Sequence, residues 1–251
     1  MSKRHHEPET ENSNEADEPL IKIPKSLSSC KTLEALISIG KDFPILRFSN
    51  KIPAVVMIHQ VYDLVPSRTI VDREMNSLRN NGVICVFQLG IDLQSRAVIL
   101  AEDMFKTANV CYPGNKTVAK YLEKIIPLGL IEIEKTRLES IVSKTEAKEL
   151  MHFGYLVLKD AKTYSLSFPN AGNFIRAFTK GRKTVLALIK KGKYNQVLER
   201  ELLGRPLEKT VVLSTKYQIH DVVGADLAQS FDTTSGRMLK ISPNGLKVLK
   251  K

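Results

Sequence analysis

The chain has no tryptophan, only three cysteines among 251 residues, and no apolar run long enough to cross a bilayer. Its longest strongly apolar runs, such as Ile52 to Ile58, fall far short of the ~20 residues a membrane helix needs. The first 25 residues are polar and hold no apolar core of a secretory signal. A soluble, intracellular protein is expected. Cys30, Cys85 and Cys111 are widely separated, with no C-x-x-C and no histidine pair at metal-ligand spacing. That excludes a disulfide framework and a zinc cluster, leaving reduced thiols of a cytosolic or nuclear chain and no expected cofactor. His5 and His6, in the tail, have no companion ligands and read as solvated, while His59, His152 and His220 read as structural. Cys111, beside Tyr112-Pro113-Gly114, reads as a loop cysteine without chemistry.

Acidic residues are missing from one place in particular. The 18 residues from Arg176 to Lys193 carry seven cations (Arg176, Lys180, Arg182, Lys183, Lys190, Lys191 and Lys193) and no acid. The net charge of +11 is equally lopsided: residues 151–251 hold 18 basic and 7 acidic side chains, and the rest of the chain is close to neutral. Such asymmetry points to a polyanionic partner met by the C-terminal part.

With 43% hydrophobic residues the chain is able to bury a substantial core, except in its tail. The segment MSKRHHEPETENSNEADEPLIKIPK lacks apolar periodicity, and residues 1–30 are expected to be disordered. Beyond it a unit recurs in which a helix ends in glycine and is followed by a strand, a polar turn and a strand. In SRTIVDREMNSLRNNGVICVFQLGIDLQSRAVILA, Ser67 or Thr69 caps a helix whose apolar face is Val71, Met75 and Leu78 and whose stop is Gly82. Strands follow at Val83 to Leu89 and Ala97 to Ala101. In SKTEAKELMHFGYLVLKDAKTYSLSFP the face is Ala147, Leu150 and Met151, the stop is Gly154, and the strands are Tyr155 to Lys159 and Tyr164 to Phe168.

Further helical patterns lie upstream of each copy: Leu33 to Ile39 and Pro53 to Tyr62, then Thr117 to Ile126 and Thr136 to Val142. Three helices followed by a two-stranded ribbon is the plan of a winged helix. A weaker third copy comprises helices at Ala171 to Lys191 and Tyr194 to Leu203, then YQIHDVVGADLAQSF, TTSG and RMLKIS, with Gly224 in the place of the stop. The expected fold is therefore α+β and mostly helical, with three tandem winged helices at 31–105, 106–169 and 170–251.

On a helical wheel with Arg176 at 0°, Lys180, Lys183, Lys190 and Lys191 fall within about −40° to +60°. Phe174, Phe178, Gly181, Val185, Leu188 and Ile189 fall at about 120° to 220° on the opposite face. A solvated helix ordinarily mixes charge signs at i, i+4, because like charges there repel by a few tenths of a kcal/mol. A uniformly basic face points instead to phosphate binding, with Arg200 and Arg205 extending it. The alternatives are a face made basic for solubility and a membrane-surface helix; the latter ordinarily carries anchoring aromatics. Arg68, Arg73 and Arg79 alternate with Asp72 and Glu74, so solvation or a protein contact fits them equally.

Three runs, QVYDLVPSRTIVDREMNSLRNNGVICVFQLGIDL, FIRAFTKGRKTVLALIKKGKYNQVLERELLGR and YQIHDVVGADLAQSFDTTSGRMLKI, occur in order and closely resemble the serine/threonine-protein kinase 19 family. The resemblance extends from about Pro44 to Ile241 and includes KRHH and PET in the tail. It implies a nuclear, tandem winged-helix protein that binds duplex DNA, with RNA as an alternative, and acts in transcription-coupled nucleotide excision repair beside stalled RNA polymerase II and its repair factors. It implies phosphate contacts at Arg176, Lys190, Lys193 and Arg205, and leaves open dimerisation on nucleic acid and a cytoplasmic pool. The family's basic cluster after KRHH is replaced here by acidic ETENSNEADE.

The kinase of the family's name is not written in the residues. Phosphoryl transfer by a kinase needs a glycine-rich loop, an H-R-D aspartate and a D-F-G aspartate. The nearest strings are His220-Asp221, with no arginine between, and Asp42-Phe43-Pro44, with proline for glycine. A non-catalytic scaffold is expected, with a kinase and a protein-interaction adaptor as the alternatives.

Overall fold

The computed structural model describes residues 30–90, 95–206 and 210–250. The tail with His5 and His6, and most of the first polar turn, lie outside that range. Helix α1 (Lys31–Lys41) starts where the Cys30 Sγ accepts the Leu33 N–H, and buries Leu33, Leu36 and Ile39. Strand β1 (Val55–Met57) runs directly into α2 (Ile58–Leu64), then come α3 (Arg68–Asn80), β2 (Ile84–Gln88) and β3 (Arg96–Leu100). Ser67 caps α3 and Val71, Met75 and Leu78 are its buried face, as the sequence predicts.

Helix α4 (Ala101–Cys111) leads to the next copy: α5 (Lys116–Lys124), β4 (Glu132–Glu134), α6 (Lys135–Ile141), α7 (Lys144–Phe153), β5 (Leu156–Leu158) and β6 (Thr163–Leu166). Helix α7 opens with a capping box between Ser143 and Glu146 and closes on Gly154 at φ +83°, where a side chain would be strained. The third copy is α8 (Ala171–Lys191), β7 (Gln196–Leu198), α9 (Glu199–Gly204), α10 (Thr215–Gly224), β8 (Ala228–Thr233) and β9 (Gly236–Ile241), followed by α11 (Pro243–Lys250).

Among the described residues the strands form three small antiparallel sheets, each with the same order: β1-β3-β2, β4-β6-β5 and β7-β9-β8. Each copy thus contributes a third strand that the sequence does not announce. Pro53 to Tyr62 reads as helical, yet its first half is β1; Tyr194 to Leu203 reads as one helix, yet it is a turn, β7 and α9. Three-residue strands are too short to display an alternating pattern, and β1 is buried at every position. Helix α4 is also unannounced, and a boundary at 105/106 falls inside it. Cys111 closes that helix instead of lying in a loop.

Two apolar cores result. One joins the first two copies to Phe174 and Phe178 of α8 and to Leu213 and Tyr217, and the other is built from Val185, Leu186, Ile189, Val197, Leu202, Ile219, Val222 and Leu239. Helix α8 spans both. Helix α10 lies between α8 and α2, and buries Tyr217, Gln218, Ile219, His220, Asp221, Val222 and Gly224. A helix covered on nearly every side carries no amphipathic stripe, which is why YQIHDVVG shows none. Gly224 is not a helix stop: a Cβ there would lie 1.8 Å from the His59 carbonyl oxygen, so the glycine exists to let α10 touch α2. The left-handed turn falls instead on Asp226 (φ +55°).

Candidate nucleic-acid interface

Helix α8 follows Asn170, which takes a left-handed conformation after Pro169, and runs 21 residues, roughly 30 Å. Phe174 stacks on Phe178 at 5.5 Å and meets Phe43 and Phe168 near 6 Å, fixing the N-terminal half of the helix in the first core. Leu186 is buried while Leu188 is only partly so, a small rotation from the predicted packed face. Gly181 faces Gln218 of α10 so closely that a Cβ would sit 2.4 Å from its Nε2.

Because this side is fixed, the other is too. Arg176, Lys180, Lys183, Lys190 and Lys191 are all exposed. The Arg176 guanidinium donates to Asn173 Oδ1 at 2.7 Å, which holds it over the first turn. A 3₁₀ turn at Ile45–Phe48 stands beside that turn, and between them lies a groove of about 530 Å³ lined by Arg47, Lys51, Asn170, Asn173, Arg176 and Lys180 among others, with no acid among its lining residues. Arg47 is itself positioned, donating through Nη1 to the Val211 and Val212 carbonyls at 3.1 and 3.2 Å. A shallower depression continues along α8, lined by Arg176, Thr179, Lys180, Lys183 and Thr184.

Five cations are thus contiguous: Arg47, Lys51, Arg176, Lys180 and Lys183. Among the described residues none of them is in an ion pair. Arg47 and Lys51 escape a reading of the sequence because more than 120 positions separate them from Arg176, and the tertiary fold brings the two segments together, through the packing of Phe43 on Phe174 and the donation of Asn170 Nδ2 to the Lys51 carbonyl at 3.4 Å.

The remaining predicted residues divide. Lys190, Lys191 and Lys193 are exposed at the far end of α8, with Lys193 Nζ 5.2 Å from the centre of the Tyr194 ring. Arg200 on α9 and Arg205 at its end are exposed, but neither lines the groove. Arg182 turns inward. Its guanidinium donates to both oxygens of Asp221 at 2.8 and 2.6 Å and lies 4.6 Å from the centre of the Phe178 ring, with 12% of its side chain exposed. It is therefore a structural arginine and does not belong to the basic face. The helical wheel carries the signal, since Arg182 lies near 240°, at the edge of the apolar arc.

Asp221 is fully buried and also contacts His59 Nε2 at 2.6 Å. Burial pushes its carboxyl up, but the Arg182 charge and the hydrogen bonds from Arg182 and His59 outweigh this and hold it below the usual carboxylate value. A second bridge joins Asp63 of α2 to His220 of α10 at 2.7 Å and to Arg237 of β9. Gln60 completes the contact, accepting the Met57 N–H at the start of α2 and donating to the Tyr217 carbonyl of α10. A cavity of about 1140 Å³ adjoins this junction. Within it Arg68 pairs with Asp226 and Tyr62 donates to Asp72. Arg79 donates to the Gly129 carbonyl, so two of the three arginines on α3 make contacts between copies.

The fold is thus of mixed helix and sheet, with small antiparallel sheets, and its most concentrated charge is a basic helix face beside an acid-free groove. Residues 31–241 match the family described as inactive serine-threonine protein kinase 19. A human protein named Winged helix repair factor 1 is 36% identical over 205 residues, covering 79% of this chain and 81% of that protein. The mouse protein of the same name is 34% identical over 214 residues, covering 83% and 84%. A Schizosaccharomyces pombe protein named Serine/threonine-protein kinase mug51 is 29% identical over 109 residues, covering 41% and 36%. The chain belongs to the inactive serine-threonine protein kinase 19 family.

Proposed function

We propose that the chain is a non-catalytic scaffold of DNA repair that grips the phosphates of duplex DNA along α8. On this reading each copy is a winged helix, at about 31–100, 116–166 and 171–250, with α4 as the connector between the first two. The observation that carries the reading is the unpaired basic surface of Arg47, Lys51, Arg176, Lys180 and Lys183, continued by Lys190, Lys191 and Lys193.

In a helix-turn-helix domain the second helix of the pair ordinarily enters the major groove. Here that helix in the third copy is α10, which is buried against α2. The contact accordingly falls to α8, whose lysines and arginines meet the sugar-phosphate backbone and carry no base readout. RNA offers the same phosphates and would compete. The relatives' names support a role in repair; action beside stalled RNA polymerase II, in the nucleus, is the form of it that the resemblance favours. The first two copies would meet the partner proteins. The fission yeast relative's name favours a kinase, but the loop and the two aspartate motifs that phosphoryl transfer needs are absent from the sequence.

A variant carrying Arg176→Glu, Lys180→Glu and Lys183→Glu tests the reading. All three side chains are exposed, so its circular dichroism and melting temperature should match the unaltered chain. Duplex affinity at low salt should fall roughly 100-fold, and the slope of log K against log salt should become shallower by about 0.9 per lost contact. Unchanged affinity in a folded variant would refute the grip.

A further inference from the structure

Just past the end of α8 the backbone takes a conformation that costs stability. Tyr194 adopts φ +59°, ψ +25°, a left-handed conformation that bulky residues rarely take and that glycine or asparagine would occupy with little strain. The residue is 73% exposed, and among the described large apolar residues only Leu46 is more so. The turn that presents it is stiff. Asn195 N–H donates to the Gly192 carbonyl at 3.0 Å, Gly192 N–H donates to the Ile189 carbonyl at 3.1 Å, and β7 begins at the next residue. Gly192 is folded so tightly against this turn that a Cβ would lie 2.0 Å from the Gln196 carbonyl oxygen.

The surroundings of the ring are cationic. Lys193 Nζ lies 5.2 Å from the ring centre, over one face, and Lys190 and Lys191, four and three positions before Tyr194 in the chain, are exposed at the end of α8. Among the described residues no other ring or cation packs on it, and its hydroxyl makes no hydrogen bond. A rigid, exposed aromatic set among lysines is the arrangement by which proteins stack the bases of unpaired nucleic acid, since every base offers a π-face and the lysines hold the adjoining phosphates. Inside an intact duplex the base faces are already stacked and unavailable.

We infer that Tyr194 is a stacking platform for an unpaired base, and that the ligand the protein prefers is a duplex with a single-stranded extension, its paired part along α8 and its first unpaired base on Tyr194. This rests on the phosphate-grip reading and adds a ligand class to it. From Arg176 to Tyr194 the helix and turn cover roughly 27 Å, the length of about eight stacked base pairs, so the platform stands at one end of the basic face.

The test uses the full chain and three labelled probes: a blunt duplex, the same duplex with a single-stranded tail of either polarity, and the single strand alone. The unaltered chain should bind one tailed duplex about 5- to 100-fold more tightly than the blunt one. Tyr194→Ala should remove that preference while leaving blunt-duplex affinity within about twofold, and Tyr194→Phe should keep it, because stacking needs the ring and not the hydroxyl. Tyr194→Gly relaxes the left-handed turn, so it should melt no lower than the unaltered chain and still lose the preference. Equal affinity of the unaltered chain for blunt and tailed probes overturns the platform and leaves the grip standing. Equal weakening of both probes by Tyr194→Ala does the same. Failure to bind any probe overturns the grip, and the platform with it.

Discussion

Arg182→Met is expected to destabilise the folded chain by about 3–5 kcal/mol, the usual result of stranding one member of a buried ion pair. Asp221 is 0% exposed, and Arg182 supplies two of its hydrogen bonds and its closest full charge. Replacing both residues, Arg182→Met with Asp221→Leu, should restore most of the loss, since a buried pair exchanged for packed apolar groups is frequently neutral.

The pH dependence follows from the sign of the shift. In the unaltered chain the Asp221 carboxyl titrates below its usual value of about 3.8, so its stabilisation is present above that pH and lost only as the pH falls through the lowered value. Without Arg182 the effect of burial dominates and raises the carboxyl, so the variant gains stability on protonation as the pH falls. The gap between the two proteins should therefore be widest near neutrality and narrow toward pH 4, as read by urea unfolding at several pH values. A gap that widens on acidification would contradict the assignment. Because Arg182 positions α8 and does not face the groove, the variant should also retain the salt dependence of duplex binding at temperatures where it is folded.

Gly224→Ala is expected to be at least as severe as an ordinary overpacked core position, exceeding about 3 kcal/mol. The new methyl would lie 1.8 Å from the His59 carbonyl oxygen and 2.6 Å from the His59 carbonyl carbon. Both are backbone atoms, which no rotamer change can move aside. Helices α2 and α10 must part, and the His59–Asp221 and Asp63–His220 contacts part with them. At about 2–4 °C per kcal/mol for a chain of this size, the melting temperature should drop by roughly 6–12 °C. Gly82→Ala makes a useful contrast. Gly82, unlike Gly224, takes a positive φ, +69°, but nothing lies within 4 Å of the added methyl, so the loss should stay near 1 kcal/mol, the backbone strain alone. Equal losses at the two positions would show that α2 and α10 are not in the contact described.

What the sequence reveals of this molecule is what short-range physics controls. The cap at Ser67, the buried stripe Val71-Met75-Leu78 and the stops at Gly82 and Gly154 are local, and the structure has them where the pattern puts them. Both limits of α8 are equally legible, since acid-free charge opposes an apolar arc along its whole length. The strands β1, β4 and β7 are not, because three residues cannot show a period and their pairing partner arrives more than 25 residues later. Helix α10 hides for a different reason: it is covered by α2 on one side and α8 on the other, so polar and apolar residues alike are inside. The site shows the same division. Arg176, Lys180 and Lys183 can be placed on one face from spacing alone, whereas Arg47 and Lys51 reach them only through the tertiary fold, and Arg182 leaves them because Asp221, 39 positions on, takes its charge.

The central claim, that an unpaired basic surface on α8 holds the phosphate backbone, is tested most directly by fluorescence anisotropy of a labelled blunt duplex titrated with the unaltered chain at four salt concentrations. Five neutralised phosphates, one for each cation of the groove and its continuation, predict a slope of log K against log salt near −4.5. Engagement of Lys190, Lys191 and Lys193 would make it steeper. Affinity should then weaken several-hundred-fold between roughly 50 and 200 mM salt. Binding with a slope near zero would contradict the account, because lysine and arginine contacts to phosphates release counterions and so cannot be indifferent to salt.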